Sequence, residues 1–458
     1  MSLDIADIQP GRLGLSSATE WNAFATRVNQ LWNTQAGPGL KLTKGEPWLL
    51  EYDGTTDAPI TTWFNNTAVR VYVWRDDAWD YGSASPPLAF FVSGSFTTFN
   101  DLTTYRLAKV VKGSTGASAR ATAFCNAVDF SGPTAFFSKN KNNTSQLFVG
   151  TQNQTQYHNN AGGNAHLLHW QTGALDSSFT GINCTFPITQ MTGIASVAGR
   201  FLIHDYATLY STDTAGANVI TKVTAGPLQM HAILNDGVSG YLQTAYLYYG
   251  TYDSQIFPQG VRKIDANGSQ NAAWDAAAAT GSECGCFFGT LPNLSLWNAG
   301  DTNLYTSASL EYGSALSWNG VSFGFSGYDG GIMKLSSSGV ASGTPLGIEP
   351  NYNDRAAVFC KSPAGDLWFG AAVNELRTAT QTIPTSTYQL YKYNEATDTA
   401  TYFSGFNGLV VDCQWFSTVG AVQQFIVVGS FTTYQGLPAE RIVFIDQDGN
   451  RLADLTWP

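Results

Sequence analysis

Apolar residues in this chain fall in short runs, some alternating with polar positions and some fully apolar, and clusters of Gly, Asn, Asp, Ser and Thr separate them. Runs of that length with such boundaries predict β-strands joined by tight turns. Two runs are nearly the same, Phe91-Val-Ser-Gly-Ser-Phe-Thr-Thr-Phe99 and Val427-Val-Gly-Ser-Phe-Thr-Thr-Tyr434, 335 residues apart. A repeat of this kind marks a supersecondary unit that buries its apolar faces only against neighbouring copies.

Further copies align on the residue that ends each apolar run: Gly94, Gly150, Asp205, Gly250, Ser307, Gly370 and Gly429, at intervals of 45 to 63 residues. After each anchor comes a second apolar strand, as in Tyr105–Val110, His166–Trp170, Val219–Val223, Val261–Asp265, Gly331–Leu335, Gln389–Tyr393 and Arg441–Ile445. Several run into Gly-bearing turns, Thr172-Gly173, Asn267-Gly268, Ser338-Gly339 and Asp448-Gly449, which are hairpin signals because type I′ turns need positive φ. A bulky residue recurs after the turn, as Phe179, Trp274 and Trp457. Each unit reads as a small antiparallel meander. Seven meanders packed radially give an all-β fold, a single β-propeller of seven blades over residues 55–458. The chain stops just after Trp457, and Ala68–Trp74 has strict alternation of Val69, Val71 and Val73, so ring closure is expected by pairing of that strand beside the last unit.

Composition agrees: aromatic residues make up 13% and charged residues only 12%, as fits many sheet-to-sheet interfaces. The formal net charge of −11 argues against nucleic acid, whose binding needs Lys and Arg against phosphates. The first residues carry no leader pattern and no run is long enough for a membrane span, so synthesis in the cytoplasm is expected. Six cysteines are scattered. Five of them, Cys125, Cys284, Cys286, Cys360 and Cys413, lie where each unit's innermost strand is expected, as small hydrophobes. Cys284-Gly-Cys286 lacks the two-residue gap of zinc and thioredoxin-like motifs.

Residues 1–54 stand outside the repeat. Ser17-Ala-Thr-Glu20 is a capping box, and Trp21, Phe24, Val28 and Leu31, with Trp32 beside them, form one apolar stripe of a helix that Gly37-Pro38 ends. A hairpin through Leu40–Leu42 and Trp48–Tyr52 follows. The helix either folds back on its own propeller or docks onto another chain; two tryptophans on so short an element favour attachment or oligomerisation.

The pattern Val427–Tyr434, then Arg441-Ile442, then the Asp448-Gly449 turn and Trp457, resembles the delta-60 type of β-propeller repeat. Leu247–Trp274 and Leu147–Phe179 resemble it well, and the units at 205, 307 and 370 loosely. The stretch Leu15-Ser-Ser-Ala-Thr-Glu-Trp-Asn22 with Ala36-Gly-Pro-Gly-Leu-Lys-Leu42 resembles N-terminal segments of bacteriophage fibre and other virion proteins. The first resemblance implies a fold; the second implies a virion component.

Catalytic patterns are absent from the sequence. The five histidines, His158, His166, His169, His204 and His231, form no His-Glu-x-x-His motif, and His166 and His169 should face opposite sides of a strand. Neither a nucleophile elbow nor a phosphate loop occurs, no cofactor is implied, and Asp53, Asp76, Asp77 and Asp80 near Trp74 and Trp79 read first as a solvated loop. One positional pattern stands out: Lys109, His169, Lys222, Lys263, Lys334 and Lys392 align in the second strands, with Phe444 in the seventh. They serve either as register devices, each satisfied by a carbonyl or carboxylate of the adjoining blade, or as a cationic ring for anionic sugars or an acidic partner.

The expectation is a non-enzymatic bacteriophage virion structural protein, made in the host cytoplasm and oligomeric in the particle. Its N-terminus would bind other virion proteins, and its propeller would be displayed for host glycan recognition. A virion-associated polysaccharide depolymerase and a purely architectural subunit remain alternatives.

Overall fold

The computed structural model describes residues 40–42, 50–52, 57–75, 85–104, 106–113, 118–121, 124, 134–139, 145–151, 165–176, 178–179, 193–197, 199–204, 208–223, 228–235, 240–246, 260–269, 271, 303–309, 316–318, 321–323, 330–336, 346–349, 355–372, 375–378, 380–384 and 389–458. These residues build an antiparallel all-β architecture. Sheets of three or more strands number seven among them.

The first sheet runs in the order Asp57–Pro59, Ser118–Ala121, Leu107–Lys112, Pro87–Gly94, Ala68–Arg75. The second is Thr134–Lys139, Gln146–Thr151 and Ala165–His169; the third is Gly193–Val197, Arg200–His204, Thr208–Asp213 and Ile220–Val223. The fourth comprises Leu228–Asn235, Gly240–Tyr246 and Gly260–Ile264. The fifth starts with Asn303–Ser309, Gly330–Ser336 and Leu346–Glu349, and its edge hairpin, Glu375–Arg377 with Thr382–Pro384, comes from between strands of the sixth. The sixth is Arg355–Lys361, Leu367–Ala372, Gln389–Asn394 and Thr399–Phe403; the seventh is Val410–Val419, Val422–Gly429, Ile442–Asp446 and Arg451–Leu452. The N-terminal hairpin forms where expected, with Leu40 opposite Tyr52 and Leu42 opposite Leu50.

The core lies between sheets. One apolar cluster joins Val71, Trp74 and Phe90 of the first sheet to Val149 of the second and to Phe416 and Phe444 of the seventh. Others join the sixth to the seventh, the fifth to the sixth, and the second to the third. In the last of these the rings of Phe148 and Phe201 meet at 4.2 Å. Each such buried Phe contributes about 1.5–3 kcal/mol. First strands carry much of this docking: Thr134–Lys139 packs on the first and third sheets, Gly193–Val197 on the fourth, and Arg355–Lys361 on the fifth and seventh. The joint between the fourth and fifth sheets falls at 265–302, most of which lies outside the described residues.

The expected closure by strand pairing is corrected. Ala68–Arg75 pairs with Pro87–Gly94 of its own sheet, and the seventh sheet has its own fourth strand, Arg451–Leu452. The first strand meets the last sheet through side chains instead, packing on Val410–Val419 and Val422–Gly429. Ala68–Arg75 is covered on one face by the seventh sheet and on the other by the second, where Trp74 stacks on Trp170, so both its faces are largely buried. That is why its regular alternation did not distinguish pairing from packing.

The two best copies of the repeat are the same at the level of single hydrogen bonds. The Asn65 carboxamide oxygen accepts from the amides of Thr97 and Thr98, and that of Asn407 from Thr432 and Thr433. Phe64 bridges Phe99, and Phe406 bridges Tyr434. Arg106 and Arg441 both adopt positive φ, 72° and 76°, and each guanidinium reaches the carbonyl of Ser95 or Ser430. Gly94 and Gly429 are required by close approach: a Cβ would stand 2.1 Å from the Thr67 carbonyl oxygen or 2.0 Å from that of Leu409.

Gly429→Ala should therefore cost about 3 kcal/mol or more, because backbone must move. Gly420→Ala, at φ 63° with open space around it, should cost only about 1 kcal/mol. Urea denaturation of the two variants reads the difference.

Candidate functional site

The most elaborated polar site among the described residues is the seam where the first sheet meets the seventh. Asp412 is 1% exposed, and one carboxylate oxygen accepts from the Val71 amide at 3.0 Å, with the Arg70 guanidinium at 3.9 Å. Its other oxygen accepts from the Cys413 amide and from Gln414, whose carboxamide also donates to the Phe359 carbonyl of the sixth sheet. Burial pushes the Asp412 pKa up, and Arg70, the two amides and Gln414 only partly offset it. Arg75, 5% exposed, donates to the carbonyls of Ser85, Trp415 and Phe416 and lies 4.4 Å over the Trp415 ring.

The N-terminal approach to the first sheet is wedged into the same seam. The Trp63 amide donates to the Glu440 carboxylate at 2.7 Å, and the Trp63 ring stacks on Phe99 and meets Phe444 edge-on. Ser118 donates from its amide and hydroxyl to Asp454. Sequence inspection missed Asp412, Glu440 and Arg75. Each is a polar residue within or beside an apolar run, and each has a partner across the seam more than 300 residues away in the chain.

The aligned basic positions occupy distinct settings. Lys109 donates to the Gln171 carbonyl, in the turn that follows the third strand of the second sheet, and lies 4.4 Å over the Trp170 ring. Lys392 reaches the Gln447 carbonyl at 2.7 Å in the corresponding turn of the seventh sheet. Lys334 pairs with Glu395 at 3.2 Å in the turn of the sixth, where Tyr305 also donates to Glu395. Each of these three lysines thus bridges its own sheet to the turn of the next. In the third sheet Ser211 makes the corresponding bond, to the Ala266 carbonyl of the fourth. Lys222, aligned with these in sequence, stands in the fourth strand of its sheet, because Thr208–Asp213 intervenes after the anchor. Lys263 is half-buried in its third strand, His169 is half-buried and His166 is buried. Phe444 takes the seventh position with its ring against Trp63 and Phe90, so that joint is apolar where others are cationic.

Trp21, Phe24, Val28, Leu31 and Trp32, like Cys125, Cys284 and Cys286, lie outside the described residues. Cys360 and Cys413 occupy first strands as expected and are buried.

Two substitutions test these assignments. Lys392→Met keeps the stem over Trp368 but strands the Gln447 carbonyl, and should cost about 1.5–3 kcal/mol, whereas Lys112→Met at an exposed position should change stability by under about 0.5 kcal/mol. For Asp412, a folded pKa raised above the unfolded one means its contribution is full below about pH 4 and is lost as pH rises through the folded value. Asp412→Asn should therefore gain stability relative to the parent as pH rises above about 4, read as the difference of urea midpoints.

No protein-family model matches the chain, and no curated protein matches it. Among solved structures it is similar to Sqt1 of Saccharomyces cerevisiae, at 9% identity and TM-score 0.42, over 82% of this chain and 96% of that one. It is also similar to the β-propeller domain of Cps50 (Swd1) of Myceliophteria thermophila, at 10% identity and TM-score 0.41, over 81% and 95%. A third is the extracellular domain of a protein described as a one-component system of B. thetaiotaomicron, at 12% identity and TM-score 0.42, over 81% of this chain. This chain spans 38% of that domain's length.

Proposed function

We propose that residues 55–458 form one closed seven-bladed β-propeller, and that the chain is a non-enzymatic bacteriophage virion structural protein displaying that propeller at the particle surface. The observation that carries the ring is the docking of the first sheet on the seventh through Ala68–Arg75, Asp412 and Arg75, added to the docking of the first four sheets in order and of the fifth, sixth and seventh in order. A linear stack would leave its two end sheets far apart.

The virion assignment rests on the resemblance of residues 15–42 to fibre N-terminal segments. Residues 1–54 serve as the attachment and oligomerisation segment toward other virion proteins. The loops, rich in Asn, Thr, Ser and Gly, contact host glycan by hydrogen bonds. Use of Lys109, Lys334 and Lys392 in ties between sheets favours the structural role of the aligned basic positions over a cationic ligand ring.

Trp21→Ala with Phe24→Ala tests attachment. The double variant should fold with the parent's melting temperature yet fail to enter particles, since aromatic anchors of a buried interface each contribute about 2 kcal/mol or more. Normal incorporation with only a lowered melting temperature would place the helix on its own propeller and remove the virion assignment's main support. Shortening of host polysaccharide by the purified chain would replace the display role with depolymerase activity.

A further inference from the structure

We propose that Cys360 and Cys413 form a modification site, an inter-sheet dithiol that a small hydroperoxide converts to a disulfide joining the sixth and seventh sheets. The two cysteines stand on first strands that pack directly on each other, Arg355–Lys361 and Val410–Val419. Both are free and buried, in one cluster with Phe359, Trp368, Phe425 and Val427.

Two features bring the sulfurs together. Gln414 donates to the Phe359 carbonyl at 3.1 Å, which ties the residues next to the two cysteines together across the inter-sheet gap. Each strand also has a register shift just upstream, between Val358 and Cys360 and between Val410 and Asp412. A bulge re-aims the side chains that follow it, here two thiols into one space. The thiols are close enough for Cys360 to act as hydrogen-bond partner of Cys413.

Their environments order the chemistry. Burial, with Cys360 and Asp412 beside it, pushes the Cys413 thiol well up, so Cys413 is the poorer first nucleophile. Cys360 is 3% exposed and Cys413 0%. An oxidant little larger than water suits so closed a site. The Cys360 sulfur attacks one oxygen of hydrogen peroxide, the O–O bond breaks, and Cys360 sulfenic acid forms with loss of water once the thiol proton is transferred. The Cys413 sulfur then attacks the sulfenic sulfur, the S–O bond breaks, and its proton leaves with the hydroxyl as a second water. Two thiols and one peroxide give one disulfide and two waters, so electrons balance without a further reagent.

The disulfide would fasten the seventh sheet to the sixth, while the seam described above fastens it to the first. The sheet at the chain's end would then be held covalently on one side.

The full-length folded protein treated with hydrogen peroxide, then unfolded, alkylated, digested and weighed by mass spectrometry, tests this. The expected result is the Cys360 peptide joined to the Cys413 peptide, two hydrogens lighter than the separate pair, and released by dithiothreitol. The melting temperature should rise on oxidation in the parent and stay unchanged in Cys360→Ala. Recovery of the two cysteines separately alkylated, separately oxidised to sulfinic acid, or joined to other cysteines overturns the assignment.

Discussion

Everything else in this fold depends on a strand near the start of the repeats lying flat against the last sheet. Ala68–Arg75 brings Val71, Trp74 and Arg75 to a partner more than 300 residues away, and the contact is apolar in bulk and polar at a few fixed points. Phe90, Phe416, Phe444 and Trp457 fill it with rings, Phe416 and Trp457 at 4.8 Å. Asp412 and Arg75 set its register. A fully buried carboxylate is expensive unless satisfied, so the Val71 amide, the Cys413 amide, Gln414 and Arg70 must all be in place together. Misregister by one residue would withdraw the Val71 amide and leave that charge exposed to an apolar interior.

Cations in this protein face inward to a degree that changes how its charge is understood. Lys109, Lys392, Arg75, Arg106, Arg120, Arg441 and Arg451 each donate to a backbone carbonyl. A carbonyl satisfies a donor without cancelling its charge, so these ties use positive groups as connectors between strands and sheets. The 34 acidic against 23 basic residues leave a formal net charge of −11.

Much of this was legible in the sequence, for identifiable reasons. The Gly-Ser-Phe-Thr-Thr copies were visible because the motif needs a glycine at a close backbone approach and aromatics at fixed spacing after it, as Gly94 with Phe96 and Phe99 demonstrate. Its other half, Phe64-Asn65 and Phe406-Asn407, went unseen because two residues that precede the motif by about 30 positions or fewer, and join it by ring contacts and hydrogen bonds, leave no periodic trace. Lys222 was misplaced because the third strand of its sheet, Thr208–Asp213, is too polar to stand out as an apolar run, so the count passed to the fourth, Ile220–Val223. Closure was misassigned because a period of two records burial and not which edge is bonded. The polar contacts of the seam were invisible because most of their partners are distant in the chain and no one residue type repeats.

The central claim is that the first and seventh sheets are docked as neighbours in one ring. A density map of the isolated chain by electron cryomicroscopy tests it most directly. The account predicts a closed disc of seven sheets with Ala68–Arg75 lying against Val410–Val419. An open arc, with solvent between those two strands, would contradict it.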